Sequence, residues 1–210
     1  QKVLTLDIKN FFDSLSFDLT EQMFKDMGYL QIISNLLTKL CYLDGVLPQG
    51  APTSPYITNI LLYNFDQRIA EYCREKKMRY TRYADDLAFS GDIKKTELIK
   101  LVRRELQKLG LRLNNEKTRL MTSNQPQIIS GLIVNDKVQV PKSERNKIRN
   151  TMYYIKKFGL KDHLEHISET RSNYLDHLMG KINYILSMNP KDEEFVEYQK
   201  YLHDLRMSDH

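Results

Sequence analysis

Three carboxylates stand where strand chemistry would rather have apolar side chains. Asp7 interrupts Val3-Leu4-Thr5-Leu6-Asp7-Ile8, a β-branched-rich run that reads as a buried strand. Asp85 and Asp86 sit between Arg79–Tyr83 and Leu87–Ser90, two runs that read as a hairpin with acids at its tip. Each has an ordinary explanation on its own, because Asp is common in turns and at strand ends, where a cation pairs with it. Taken together they predict more. If the strands are neighbours, three carboxylates converge at one sheet edge, and a divalent cation relieves their repulsion. An all-oxygen donor set suits Mg²⁺, with Mn²⁺ as substitute, held by one or two carboxylates plus substrate phosphates. Two such ions about 3.5–4 Å apart can activate a hydroxyl nucleophile and stabilise a leaving pyrophosphate.

The surrounding pattern predicts the elements that must position these acids. Leu19, Met23, Phe24 and Met27 fall at helical spacing, capped by Asp18 or Thr20 and stopped by Gly28. Ile32, Ile33, Leu36, Leu37 and Leu40 repeat the pattern. Leu47–Pro55 is a loop rich in Pro and Gly. It feeds a long helix through Ser54 as N-cap and Pro55 as first helical residue, with Ile57, Leu61, Phe65, Ile69 and Tyr72 on one face. A helix over 95–109 ends at Gly110. Short strands follow at 111–113 and 118–121, then a hairpin of 128–134 and 137–140 turning at Asn135-Asp136. After Pro141 the strand signal vanishes and helices are predicted at about 142–157, 171–188 and 193–206. The expected organisation is a mixed α+β domain over 1–141 followed by a helical domain over 142–210.

Composition narrows the classes. With 210 residues, 41% hydrophobic and 28% charged, the chain can bury a core, which excludes disordered and collagenous readings. No run approaches the roughly 18 apolar residues of a membrane helix, so no membrane partner is expected. Two cysteines, Cys41 and Cys73, build no disulfide framework and suit a reducing compartment. The excess of 32 basic over 27 acidic residues tilts partners toward polyanions. The chain enters a strand directly after Gln1, as a domain entered in mid-fold would.

Three motifs in order carry a resemblance. Tyr83-Ala84-Asp85-Asp86 matches the Y-x-D-D signature of reverse transcriptases. Leu6-Asp7-Ile8-Lys9-Asn10-Phe11-Phe12-Asp13 looks like their first catalytic motif, and Leu47-Pro48-Gln49-Gly50-Ala51-Pro52-Thr53-Ser54-Pro55 resembles the P-Q-G-x-P-x-S-P loop of the prokaryotic branch. Tyr80–Leu87, Ser130-Gly131-Leu132 and Gly180–Ser187 look most like the retron type. The resemblance implies a right-hand polymerase palm, with a ferredoxin-like antiparallel sheet and helices, followed by a helical thumb. It also implies fingers ahead of the first catalytic strand, which this chain does not include.

The resemblance assigns roles residue by residue. Asp7, Asp85 and Asp86 would bind two Mg²⁺ ions, helped by the Ile8 carbonyl. Phe12 would be the gate under the sugar that favours dNTPs over NTPs, although one of Phe11 and Phe12 should face the core. Gln49 would lie near the incoming nucleotide and Lys117 near its triphosphate, whereas an unspecialised Lys117 would simply be solvated. Ser130 and Gly131 would form the primer grip, or an ordinary hairpin bulge. Lys142, Arg145 and Arg149, with Lys147, Lys156 and Lys157, would follow phosphates, or form a solvated helix face. Tyr153 and Tyr154 could stack on sugar or base, with core packing expected of at least one. Further implications are a structured non-coding RNA as template and primer, an RNA–DNA hybrid product, an effector protein in antiphage defence, and a bacterial cytoplasmic setting.

Other readings are weaker. A group II intron or abortive-infection enzyme shares the motifs, a nucleotidyl cyclase lacks the P-Q-G loop, and a silent RNA-binding scaffold would not need three intact acids. The H-x-x-H pair His163 and His166 has no companions for a zinc site. Cys41 and Cys73 read as core residues.

Overall fold

A computed structural model describes residues 1–208, which divide into two compact units, Gln1–Gln127 and the remainder from Ile128. The first begins with β1 (Lys2–Asp7), a single helical turn α1 (Phe11–Ser14), α2 (Phe17–Asp26) and α3 (Gln31–Cys41). It continues with α4 (Thr53–Leu61), α5 (Tyr63–Glu75), β2 (Arg79–Tyr83), β3 (Asp86–Gly91), α6 (Lys95–Gln107) and β4 (Arg119–Met121). The strands form an antiparallel sheet in the order β2-β3-β1-β4. β1 is central, and Val3, Leu4 and Leu6 are all buried, as a continuous apolar strand requires. Leu4, Leu6, Leu87 and Phe89 share a core with Phe65 and Ile69 of α5 and Leu98 and Val102 of α6.

Several local expectations change. The cap of α2 is Ser16, whose Oγ accepts from the Leu19 N–H at 3.2 Å, rather than Asp18 or Thr20. The expected long helix after the P-Q-G loop is two helices separated at Leu62, which is fully buried. Ser54 does not cap it. Thr53 already lies in α4, and the Ser54 Oγ instead donates to the Pro48 carbonyl at 2.7 Å, bracing the loop. In place of a strand at 111–113 there is one bridge, Ile8 to Leu113. The apolar stripe of α3 does not face the core: Ile32 is 80% and Leu40 75% exposed, while Ser34 and Thr38 are buried. The hydroxyls tolerate burial because Thr38 donates to the Ser34 carbonyl and Ser34 to the Tyr29 carbonyl.

The second unit contains β5 (Ile128–Ile129), β6 (Leu132–Ile133), α7 (Lys142–Phe158), α8 (Leu160–His166), α9 (Tyr174–Met188) and α10 (Glu193–Ser208). Its core gathers Ile148, Met152 and Ile155 of α7, Leu178 and Ile182 of α9, and Phe195 and Leu202 of α10. Val140 and Leu132 pack into that core, so the 128–140 segment groups with the helices, upstream of the expected boundary at 141. The chain reverses twice here: at Asn135-Asp136, as expected, where Ile133 and Gln139 exchange backbone hydrogen bonds of 2.9 and 3.0 Å, and first at Ser130-Gly131, where φ is 46° and 81° and the expected strand splits into β5 and β6. Two successive positive φ values are the signature of a tight two-residue hairpin turn. The short helix α8 was not legible in the sequence. Among the described residues no helix is long and apolar enough to cross a membrane.

Candidate active site

Strand register brings the acids together. Asp7 at the end of β1 is paired with Asp86 at the start of β3, and Asp86 also faces Tyr83 of β2. The turn between β2 and β3 is held from several sides. Ala84 takes φ 50°, a left-handed conformation that reverses the chain in two residues. The Asp85 carbonyl accepts from the Ile8 N–H at 3.0 Å, and the Asp7 carbonyl accepts from the Asn114 N–H at 2.8 Å. Beneath the turn, the Arg82 guanidinium donates to Asp66 of α5 at 2.6 and 2.9 Å, to the Ala84 carbonyl at 3.1 Å and to Asn59 of α4 at 3.2 Å. Tyr80 donates its hydroxyl to the same Asp66 at 2.6 Å. One carboxylate on α5 thus fixes the strand that presents Asp85 and Asp86. Nothing in the residue pattern signals this brace, since Asp66 and Arg82 look like ordinary helix and strand charges.

Above the sheet edge lies a cavity of about 430 Å³. It is walled by Asp7, Ile8, Asn10, Phe11, Phe12, Asp13, Gln49, Asp85, Asn114 and Lys117. Asp7 is buried, and its carboxylate accepts from the Lys117 Nζ at 2.8 Å. That bond, then the attraction of Asp7 and the nearby acids, raises the lysine's pKa. Asp86 is shifted the other way for a carboxylate. Partial burial, then the charges of Asp85 and Asp7, raise its pKa, against the pull of Lys117. Like charges are therefore crowded here with one ammonium as relief. Phe11 points into the core while Phe12, 5.3 Å away centroid to centroid, is half-buried on the cavity wall. Gln49 reaches the same wall from the loop braced by Ser54. Asn10, Asp13 and Asn114 were not anticipated, since short polar residues near turns carry no distinguishing pattern.

Among the described residues no group of three or more His, Cys, Asp or Glu side chains is arranged to cage a metal ion. Mg²⁺ does not need a cage, because one or two carboxylates with substrate phosphates complete its shell. Asp7 and Asp85 on one wall, with Asp86 electrostatically coupled to both, are that kind of donor set.

The family model for reverse transcriptase (RNA-dependent DNA polymerase) matches residues 1–174. The chain belongs to the reverse transcriptase family. Within it, its likeness is to the retron type. It is 31% identical to the retron Ec86 reverse transcriptase of Escherichia coli over 90% of this chain and 56% of that protein. It is 32% identical to the retron Mx65 reverse transcriptase of Myxococcus xanthus over 91% and 47%. The chain thus spans about half the length of these relatives. Its fold is also that of a telomerase from Candida albicans solved with a telomeric RNA fragment. That match has TM-score 0.50 and 12% identity over 94% of this chain and 40% of that one.

The remaining expected residues of this reverse transcriptase chain lie in the second unit. Ser130 and Gly131 form the tip of the β5–β6 turn. Lys142 is exposed at the start of α7. Arg145 and Arg149 are not free to follow phosphates: Arg145 pairs with Asp192 at 2.7 Å and Arg149 with Glu194 at 2.6 Å. Both guanidinium groups also stack over the buried Phe195 ring, at 4.7 and 5.9 Å. Their work is to join α7 to α10. Lys156 is likewise bound to Glu197 and Lys147 to Glu144. His163 is buried and shares a 2.9 Å hydrogen bond with the Tyr174 hydroxyl, and burial, then His166, lowers its pKa. Cys73 is a core residue whose thiol burial pushes up to about 11.

Proposed function

We propose that this chain carries the nucleotidyl-transfer centre of an RNA-directed DNA polymerase of retron type. The reaction joins a primer 3′-hydroxyl to the α-phosphate of a dNTP and releases pyrophosphate. The observation that carries the reading is the register pairing of Asp7 with Asp86, which sets Asp7 and Asp85 on a cavity also walled by Phe12, Gln49 and Lys117.

Asp7, Asp85 and Asp86, with the Ile8 carbonyl, would hold divalent cations, two Mg²⁺ ions in this reading. Bound there, the cations supply Lewis-acid activation and neutralise phosphate charge. The protein's own residues do the rest. The Phe12 ring occupies the space a ribose 2′-hydroxyl would need, so deoxyribose is favoured. Lys117, bonded to Asp7 at 2.8 Å, would be available to the triphosphate once that carboxylate held a cation, and its ammonium would offset the charge of the departing pyrophosphate. Gln49, on a loop pinned by Ser54, offers both a donor and an acceptor to the incoming nucleotide. In the second unit, the Ser130-Gly131 turn presents backbone to the primer end, and exposed Lys142 adds a salt-dependent phosphate contact. A palm and a thumb, expected over 1–141 and 142–210 and with the 128–140 segment grouping with the thumb helices, are the matching division of labour. A structured RNA that is both template and primer, its RNA–DNA hybrid, and an effector protein in antiphage defence complete the proposal for the whole protein.

The test is primer extension by the full-length protein on a primed RNA template. Extension with dNTPs in Mg²⁺, abolished by chelator and poor with NTPs, is expected. No extension in either Mg²⁺ or Mn²⁺ would overturn the reading.

A further inference from the structure

The sequence pattern expects at least one of Tyr153 and Tyr154 to pack into the core, and neither does. Tyr153 is 55%, Tyr154 46% and Phe158 51% exposed, at the C-terminal end of α7, whose core face is Ile148, Met152 and Ile155. Their rings are organised nonetheless. Tyr154 and Phe158 stack with centroids 6.1 Å apart and planes 19° apart, and Tyr153 meets Tyr154 edge-on at 5.5 Å. The Lys157 Nζ lies 5.4 Å from the Tyr153 ring centre and 5.1 Å from that of Phe158, and donates to the Tyr153 hydroxyl at 3.0 Å. Gly159, with φ 88°, then turns the chain sharply into α8.

This bend encloses a cavity of about 370 Å³ walled by Tyr154, Phe158, Asp162, His163 and His166. That is near the lower end of the roughly 300–1,000 Å³ of small-ligand sites, too small for a helix and enough for one flat heterocycle with part of its sugar. Two walls are aromatic. A third carries the exposed carboxylate of Asp162, which has no ion-pair partner among the described residues. The cations Lys157 and Lys161 are exposed beside it.

We propose that the α7–α8 joint is a docking pocket for a single unpaired nucleobase of RNA, built wholly within the second unit. Aromatic faces stack on any base, so they supply affinity without sequence preference. Lysines at the rim meet the flanking phosphates. Asp162 supplies the selectivity. Its carboxylate only accepts, so it favours a base with neighbouring ring N–H and exocyclic amine donors. Guanine has that pair on one edge, whereas uracil lacks the amine and adenine the ring N–H. The inference rests on the proposed function only for RNA as the partner, not for the chemistry at Asp7 and Asp85.

The test is fluorescence anisotropy of the full chain with a labelled uridine-rich ribo-oligonucleotide carrying one guanosine, and with inosine or adenosine in its place. Guanosine is expected to bind tighter than inosine, which lacks the 2-amino group. Phe158→Leu, which keeps apolar bulk but removes the ring, and Tyr154→Ala are expected to weaken binding about 5- to 100-fold, the loss of one stacked base. Asp162→Asn is expected to erase the guanosine preference while the plain uridine oligonucleotide still binds. Equal affinity for all bases, or affinity unchanged in Phe158→Leu, would overturn the pocket even in a protein that extends primers. Conversely, a guanosine preference in a protein that extends none would uphold the pocket and overturn only the polymerase reading.

Discussion

At Asp7 the structure shows a buried carboxylate bonded to a lysine that is itself largely exposed. An exposed ammonium is easily exchanged, so in the proposed function Lys117 is a counter-ion that divalent cations and triphosphate would displace. Lys117→Met is expected to lower the melting temperature in chelator and to lose less of it when Mg²⁺ is added, measured by calorimetry. Asp86 runs in the opposite sense. Its raised pKa means the folded state holds the proton more tightly than the unfolded chain does, so stability is lost as pH rises from the ordinary carboxylate range through the folded value. At neutral pH the ionised group therefore works against folding, and Asp86→Asn is expected to raise the chelator melting temperature while abolishing incorporation. A fall in melting temperature would contradict the repulsion inferred here. The three acids were legible because carboxylates are costly at a core strand's edge, whereas Phe12, Gln49 and Lys117 were singled out by the resemblance of their motifs and not by residue type. Asn10, Asp13 and Asn114 were not, because only the folded chain shows that turns carry them to the same cavity.

At the scale of elements, the hairpin that presents Asp85 is braced by an ion pair whose arginine side chain is only 6% exposed. Burial works to lower the Arg82 pKa, and the bonds and charge of Asp66 more than reverse that, so the net shift is upward. Removing Asp66 leaves a buried cation and a Tyr80 hydroxyl without their acceptor. Asp66→Ala is expected to cost about 3–5 kcal/mol in urea unfolding, whereas the exposed Arg79→Ala changes little. A second buried acid, Glu105, is surrounded by Arg68, Arg104 and Lys108, and the bonds from Lys108 and Arg68 lower its pKa to about 2. A depressed carboxylate stabilises the fold above its unfolded value, and the benefit is lost as pH falls toward about 2. Glu105→Gln should flatten the acid limb of a stability–pH profile below about pH 4.5. Strand positions were legible from apolar runs. The break at Leu62 and the reversal at Ser130-Gly131 were not, since the apolar stripe runs on through one and 128–134 reads as a single strand through the other, whereas the turn at Asn135-Asp136 was legible.

At the scale of the molecule, two units with separate cores are each closed by contacts that the sequence pattern misassigned. The basic residues of α7 read as a phosphate track, yet Arg145 and Arg149 spend their charge on Asp192 and Glu194. Arg149→Ala is expected to lower thermal stability clearly and to leave the salt dependence of RNA binding nearly unchanged. Lys142→Ala should do the reverse. The apolar stripe of α3 marks the helix correctly yet is largely solvent-facing, while its Ser34–Thr38 side is buried with its hydroxyls satisfied. Periodicity reports that a face is apolar, not what covers it.

The central claim is that the hairpin-tip carboxylates carry the chemistry. Its most direct measurement is single-nucleotide incorporation by the full-length protein in Mg²⁺, wild type beside Asp85→Asn, with matched circular dichroism. Loss of several kcal/mol of charge stabilisation corresponds to about a thousandfold or more in rate, and that loss with an unchanged fold is expected. An Asp85→Asn protein that incorporates dNTPs at a rate near wild type would contradict the account.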